Sequence, residues 1–210
     1  MKAFIINFNR LTYLKGMVDW CLAHGLEPVV VDNHSDYPPL LAYYHSKPCQ
    51  IIFLPANYGH LVMWHGLIDL PQVRFIITDP DLDMSGVPDD FLQVMNEGLD
   101  RYPHVVKCGL SLEIADLPDS EEGRFIRGVE GGFWTKPLDP LYFDAITDTT
   151  FALYREGTTQ HSLSAVRTNR PYTARHYSWY YTDFNLIPED EQHYYRTAGD
   201  SASGKKRLMK

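Results

Sequence analysis

The chain has 210 residues, enough for a substantial hydrophobic core and about the size of one domain. Its net charge of -8 argues against a surface that grips nucleic acid as a whole, although an anionic ligand held through a cation stays compatible with it. Hydrophobic residues make up 44% and aromatic residues 13%, the range of an ordinary globular protein, with tyrosine abundant at 14.

Residues 3–8 form a short apolar run that predicts a strand ending in the polar Asn7-Phe8-Asn9-Arg10. Over 11–24, apolar Leu14, Met17, Val18, Cys21 and Leu22 recur at a helical period, and Gly25 is a natural stop. Pro28-Val29-Val30-Val31-Asp32 predicts a second buried strand, ending in Asp32, Asn33, His34, Ser35 and Asp36. Residues 38–45 open on Pro38, which suits the first turn of a short helix. A third strand over 50–54 leads to Asn57-Tyr58-Gly59-His60 and a helix reaching about Asp69.

The fourth strand carries the densest chemistry. Phe75-Ile76-Ile77 is a buried-strand run bounded by charge and proline, and it feeds directly into Asp79, Asp81 and Asp83. Carboxylates this close repel one another unless a cation or partner offsets them, and hard oxygen ligands suit Mg²⁺ or Mn²⁺. A solvated acidic turn is the plainer account of the same residues. A helix over 87–102 and a fifth strand over 104–110 follow.

The second half is less regular. Residues 113–122 are acidic and contain Pro118, a surface-loop composition, and 124–134 predict a short helix interrupted at Gly131-Gly132. Residues 141–145 are a strand region, and 147–154, rich in Thr, Phe and Tyr, predict a strong strand that begins beside Asp148. Residues 167–179 concentrate Arg167, Arg170, Tyr172, Arg175, His176, Tyr177 and Trp179. A short acidic helix over 188–196 precedes a basic tail at 204–210.

Strand and helix alternate through the first half, which predicts an α/β domain with a mostly parallel central sheet and helices on both faces. A single domain would span 1–203, with 1–110 as the ligand-binding half and 111–203 as the less regular half. Because each strand ends in polar residues, the carboxyl edge is the expected ligand edge, lined by Asn7, Asn9, Arg10, Asp32, Asn33, Asn57 and the acidic cluster.

Cys21, Cys49 and Cys108 are odd in number and lack paired spacing, as expected of small buried residues in a reducing compartment. The start of the chain turns polar too soon for a signal peptide, and no apolar run approaches the roughly 18–20 residues that span a bilayer. A cytoplasmic protein is expected.

Several motifs are missing: the glycine-rich dinucleotide and triphosphate loops, and the Gly-x-Ser-x-Gly elbow. An EF-hand loop fails too, since Met84 stands where its glycine belongs and a strand precedes it. A phosphatase of the haloacid-dehalogenase type, with Asp79 as nucleophile, would carry its Asp-x-Asp on the first strand.

What remains is a strand-terminal Asp-x-Asp in the middle of an α/β chain, and this resembles the metal-binding signature of glycosyltransferases with the GT-A fold. The resemblance extends to residues 4–14, similar to the family's first strand and donor loop, and to Val30-Val31-Asp32-Asn33-His34-Ser35, similar to its second-strand nucleotide contact. Asn57-Tyr58-Gly59-His60 is similar to its Asn-x-Gly turn. In this order the elements resemble family 2-like bacterial sugar transferases over residues 3–83.

The resemblance implies transfer of a sugar from a nucleotide diphosphate sugar, a UDP-sugar favoured, to a saccharide or lipid-linked acceptor, with Mn²⁺ or Mg²⁺ as cofactor. It implies donor contacts at Asn7, Asn9, Arg10, Asp32, Asn33, Asn57, Gly59, Asp79 and Arg175. It implies metal contacts at Asp81, Asp79 and a late histidine, for which His176 is the candidate. An inverting reaction needs a carboxylate base to take the acceptor proton; Asp148 and Glu130 are the candidates. Phe133 and Trp134 could stack on an acceptor sugar or simply pack. The basic tail could touch an anionic membrane surface. A non-catalytic nucleotide- or sugar-binding domain of the same fold is the first alternative, and an aspartate-dependent phosphatase using Asp79 is the second.

Overall fold

The structure is a computed structural model that describes residues 1–46, 49–148 and 150–199; the basic tail lies outside the described residues. The first half contains β1 (Lys2–Asn7), α1 (Thr12–Ala23), β2 (Glu27–Asp32), α2 (Pro38–His45), β3 (Gln50–Phe53), β4 (Phe75–Thr78), β5 (Leu82–Asp83), α3 (Phe91–Arg101) and β6 (Lys107–Gly109). The second half adds β7 (Ser111–Leu112), α4 (Glu121–Glu130), β8 (Pro137–Asp139), β9 (Tyr142–Asp144), β10 (Ala152–Tyr154), β11 (Ala165–Thr168), β12 (Thr173–His176) and α5 (Glu189–Thr197).

Nine strands form one sheet in the order β3-β2-β1-β4-β10-β6-β11-β9-β8, and β5-β12-β7 form a small second sheet. β3, β2, β1 and β4 are parallel neighbours. β10 then inserts antiparallel between β4 and β6, and β9 and β8 close the far side in antiparallel pairing. The sheet is therefore mixed and not mostly parallel as expected, and parallel pairing is confined to its first four strands and the β6–β11 pair. The reason is topological. β10 arrives from the second half of the chain, and nothing in the local pattern of 152–154 records its direction.

Alternating side chains of β1, β2 and β4 point to opposite faces. One face packs Ile5, Val30 and Ile76 against α1, α2 and α3. The other packs Phe4, Ile6, Val29, Val31 and Ile77 against Leu54, Val62, Met63 and Ile68, and among the described residues no α-helix covers it there. The helix expected up to Asp69 is a single 3-10 turn, Val62–Trp64. Gly59 and Gly66 bracket that turn at φ 74° and 72°, in the left-handed region where a right-handed helix cannot continue.

β4 is anchored on both sides, since Phe75, Ile76 and Ile77 are all fully buried. At about 2 kcal/mol each for burying such side chains, the gross gain is about 6 kcal/mol, which holds the aspartates at a fixed strand end. The strong strand expected over 147–154 is shorter, Ala152–Tyr154, so Asp148 lies in the loop before β10 and not at a strand start.

α1 begins on Leu11, which has no capping side chain of its own. The cap comes from α5: Asp190 Oδ2 accepts hydrogen bonds from the main-chain amides of Leu11 (2.6 Å) and Thr12 (2.7 Å). A carboxylate there satisfies orphan amides and complements the positive end of the helix dipole. This contact brings α5 to the loop after β1, which is the loop that carries Arg10.

Candidate functional site

The ends of β1, β2 and β4 open into a cleft of about 660 Å³. Its walls include Arg10, Asn33, Asn57, Gly59, Asp79, Asp81, Asp148 and His176, all of them sequence candidates. Ile6, Phe8, His60 and Pro80 line it from the same segments, while Tyr194, Ala198 and Gly199 come from a segment the sequence did not single out for ligand binding.

The turn beside the cleft is held by Asn33. Its Nδ2 donates to the Gly59 carbonyl at 2.9 Å, and its Oδ1 accepts from the Tyr58 amide at 3.0 Å. This bracing fixes Gly59 in its left-handed conformation and sets Asn57 and His60 at the rim.

At the base of the cleft a single guanidinium is shared. Arg10 Nη1 lies 2.5 Å from Asp81 Oδ2, and Arg10 Nε lies 3.2 Å from Glu191 Oε1, an ion-pair contact without hydrogen-bond alignment. The Tyr194 ring lies 3.9 Å below the guanidinium carbon. Burial alone would lower the pKa of Arg10, but Asp81 and Glu191 outweigh it and hold the pKa well above its ordinary value. Burial likewise favours protonated Asp81, and Arg10 and His176 reverse this and hold the carboxyl below its usual range. Glu191 goes the other way: burial, helped by Asp81 and opposed by Arg10, pushes it up to about 8.

His176 adjoins this cluster, its Nδ1 3.5 Å from Asp81 Oδ2 and 2.9 Å from Ser178 Oγ. Burial lowers its pKa, with Asp81 opposing, and its ring stacks on Trp179.

A divalent cation can be tested against these residues. Among the described residues no group of three or more His, Cys, Asp or Glu is arranged to hold a metal ion. Asp81, the expected ligand, already faces a guanidinium. An ion held by the protein alone does not fit this arrangement. An ion carried in by a nucleotide does fit, because Mg²⁺ is commonly held by one or two carboxylates with phosphates and water completing its shell.

Asp148 stands in the cleft wall with its side chain half exposed, and two imidazoles flank it: His60 Nε2 at 3.8 Å and His161 Nε2 at 4.0 Å. Glu130, the other base candidate, is not among the cleft-lining residues. It is buried against Arg167, with which it forms an ion pair.

Other candidates support the site from behind or lie apart from it. Asn7 is buried and donates to the Arg10 carbonyl and to Tyr44 Oη, and Tyr44 in turn donates to Asp32. Asn9, at φ 55°, accepts from the Asp36 and Tyr37 amides and donates to Thr197, so it ties two loops together. Arg175 pairs with Asp116 at 2.6 Å on the surface. Phe133 and Trp134 lie under Arg167 and Arg170 in cation–π contacts. Asp83 accepts from the Ser85 amide, as a turn residue does.

Sequence reasoning missed Glu191 and Tyr194 because their helix reads as an ordinary acidic surface helix. The only hint was Asp190-Glu191 next to tyrosines.

No protein-family model matches the chain, and no curated protein matches it. Among solved structures it is similar to glucosyl-3-phosphoglycerate synthase from Mycobacterium tuberculosis, solved in complex with phosphoglyceric acid. The identity is 10% and the TM-score 0.46, over 74% of this chain; the chain spans 56% of that neighbour's length. Among the described residues no helix is long and apolar enough to cross a membrane.

Proposed function

We propose that the protein is a glycosyltransferase of GT-A type, acting in the cytoplasm, that moves a sugar from a nucleotide diphosphate sugar, a UDP-sugar favoured, to a saccharide or lipid-linked acceptor. One observation carries this reading: donor candidates from separate strand ends, Arg10, Asn33, Asn57 with Gly59, and Asp79 with Asp81, line a single cleft. Residues 1–110 would then bind the donor and 111–203 supply the acceptor side.

In this reading the diphosphate leaves as the acceptor hydroxyl attacks the anomeric carbon, and Asp148 takes the hydroxyl proton in an inverting transfer. The cleft wall holds Asp79, Asp81 and Asp148 against one arginine already facing Asp81 and Glu191. A diphosphate entering it meets net negative charge, so a cation must offset the repulsion. Mn²⁺ or Mg²⁺ entering with the nucleotide would supply that charge, with Asp79, Asp81 and His176 as its protein contacts. Glu191 already lies beside Arg10 and can keep the guanidinium paired when Asp81 turns to the ion.

Titration calorimetry with UDP, with and without Mn²⁺, tests the reading. Binding that strengthens with the metal supports it, and failure of every nucleoside diphosphate to bind under either condition would sink it.

A further inference from the structure

One face of β6 is spent on holding the segment that carries Asp148. Lys107 and Gly109 share that face, two residues apart on the strand. Lys107 is fully buried, and its Nζ donates to the main-chain carbonyl of Asp148 at 3.0 Å and to Tyr154 Oη at 3.1 Å. At Gly109 an added Cβ would come within 2.8 Å of the Thr147 side chain, which is itself buried. Two neighbouring positions of one strand thus grip two consecutive residues, Thr147 and Asp148.

The choice of lysine needs a reason. Both of its hydrogen-bond acceptors are uncharged, and burying an ammonium without a directly paired carboxylate is costly. An apolar side chain would fill β6 more cheaply. What lysine adds is a long, charged donor that reaches the backbone at the foot of the Asp148 side chain. The groups facing it are Asp148 from the loop, Tyr154 from β10 and Arg167 from β11. Burial lowers its pKa to about 8, Asp148 opposing and Arg167 adding to the shift, so the ammonium form persists at neutral pH.

We propose that Lys107 is a positioning residue which, with Gly109 beneath Thr147, pins the main chain at Thr147–Asp148 so that the Asp148 carboxylate is presented in the cleft wall. The consequence for turnover rests on the role of Asp148 under Proposed function, whereas the pinning itself does not.

The test compares wild type with Lys107→Met, Lys107→Arg and Gly109→Ala. Amide hydrogen exchange is followed at Thr147 and Asp148, UDP binding by calorimetry with Mn²⁺, and turnover as UDP release from UDP-glucose. Lys107→Met should speed exchange at these two amides at least tenfold while α1 and β1 keep wild-type protection. UDP affinity should stay within about twofold while UDP release falls at least tenfold. Lys107→Arg should restore part of both the protection and the turnover, and Gly109→Ala should loosen the same two amides through Thr147. Unchanged exchange in Lys107→Met, or UDP affinity that falls by the same factor as turnover, would overturn the proposal. A wild type that binds no nucleoside diphosphate would remove the proposed function, and the exchange measurement would still decide whether Lys107 holds the segment.

Discussion

Replacing Asp81 by Asn separates its two roles, because a residue that serves only as a metal ligand has no effect on the metal-free fold. The Asp81 and Arg10 side chains are 3% and 9% exposed and 2.5 Å apart. Removing one partner of a buried pair costs about 3–5 kcal/mol, since the other charge stays buried. Glu191 softens the loss: without the Asp81 charge its carboxyl ionises more readily and takes up Arg10. The lower end, about 3 kcal/mol, is therefore expected. For a domain of this size each kcal/mol moves the melting temperature by about 2–4 °C, so Asp81→Asn should melt about 6–12 °C below wild type. The assay is scanning calorimetry at pH 7 in EDTA, with Arg10→Met and the double variant completing a cycle. A coupling of about 1–3 kcal/mol is expected. A shift below about 2 °C in Asp81→Asn would refute the reasoning and leave Asp81 as a bystander in the folded state.

Glu191 makes stability depend on pH. A carboxyl whose folded pKa is raised stabilises the fold fully below its unfolded value near 4.5, and that contribution is lost as pH rises through about 8. The melting temperature should thus fall from pH 6 to pH 9, and Glu191→Gln should flatten the profile; an equal slope in both proteins would remove Glu191 as its cause. Asp148→Asn should lower turnover at least about 100-fold with melting within about 1 °C of wild type, because its side chain is half exposed. Glu130→Gln should do the reverse, since it breaks a buried pair with Arg167, melting several degrees lower while turnover per folded molecule is kept. Should Glu130→Gln be the variant that abolishes turnover, the base assignment passes to Glu130. UDP with Mn²⁺ at about 100 times its Kd should stabilise the fold by about 2.7 kcal/mol, seen as a rise in melting temperature that EDTA reverses.

The apolar runs of β1, β2 and β4 and the polar residues at their ends were legible in the sequence, because strand formation and its termination depend on neighbours a few positions away. Periodicity likewise marked α1, and the acidic run marked the cleft edge through Asp79 and Asp81. The same local logic misread the segment after His60, up to about Asp69, as a helix, where glycines at positive φ and an apolar sheet face left room for one 3-10 turn. It also stretched the strand that ends at Tyr154 back to Thr147.

Tertiary structure alone decided who pairs with whom. Arg10 reads as a donor contact on the carboxyl edge in the sequence; in the fold it is a buried cation shared by Asp81 and Glu191, with Tyr194 beneath it. The cap of α1 comes from Asp190, 179 positions away from Leu11. Propensity and period record the conformation of a segment, while the ionisation and availability of a carboxylate depend on which distant charge the topology brings to it. For this protein the sequence determined that carboxylates gather at the end of β4, and the fold decided that Asp81 meets a guanidinium there while Asp148 faces the cleft.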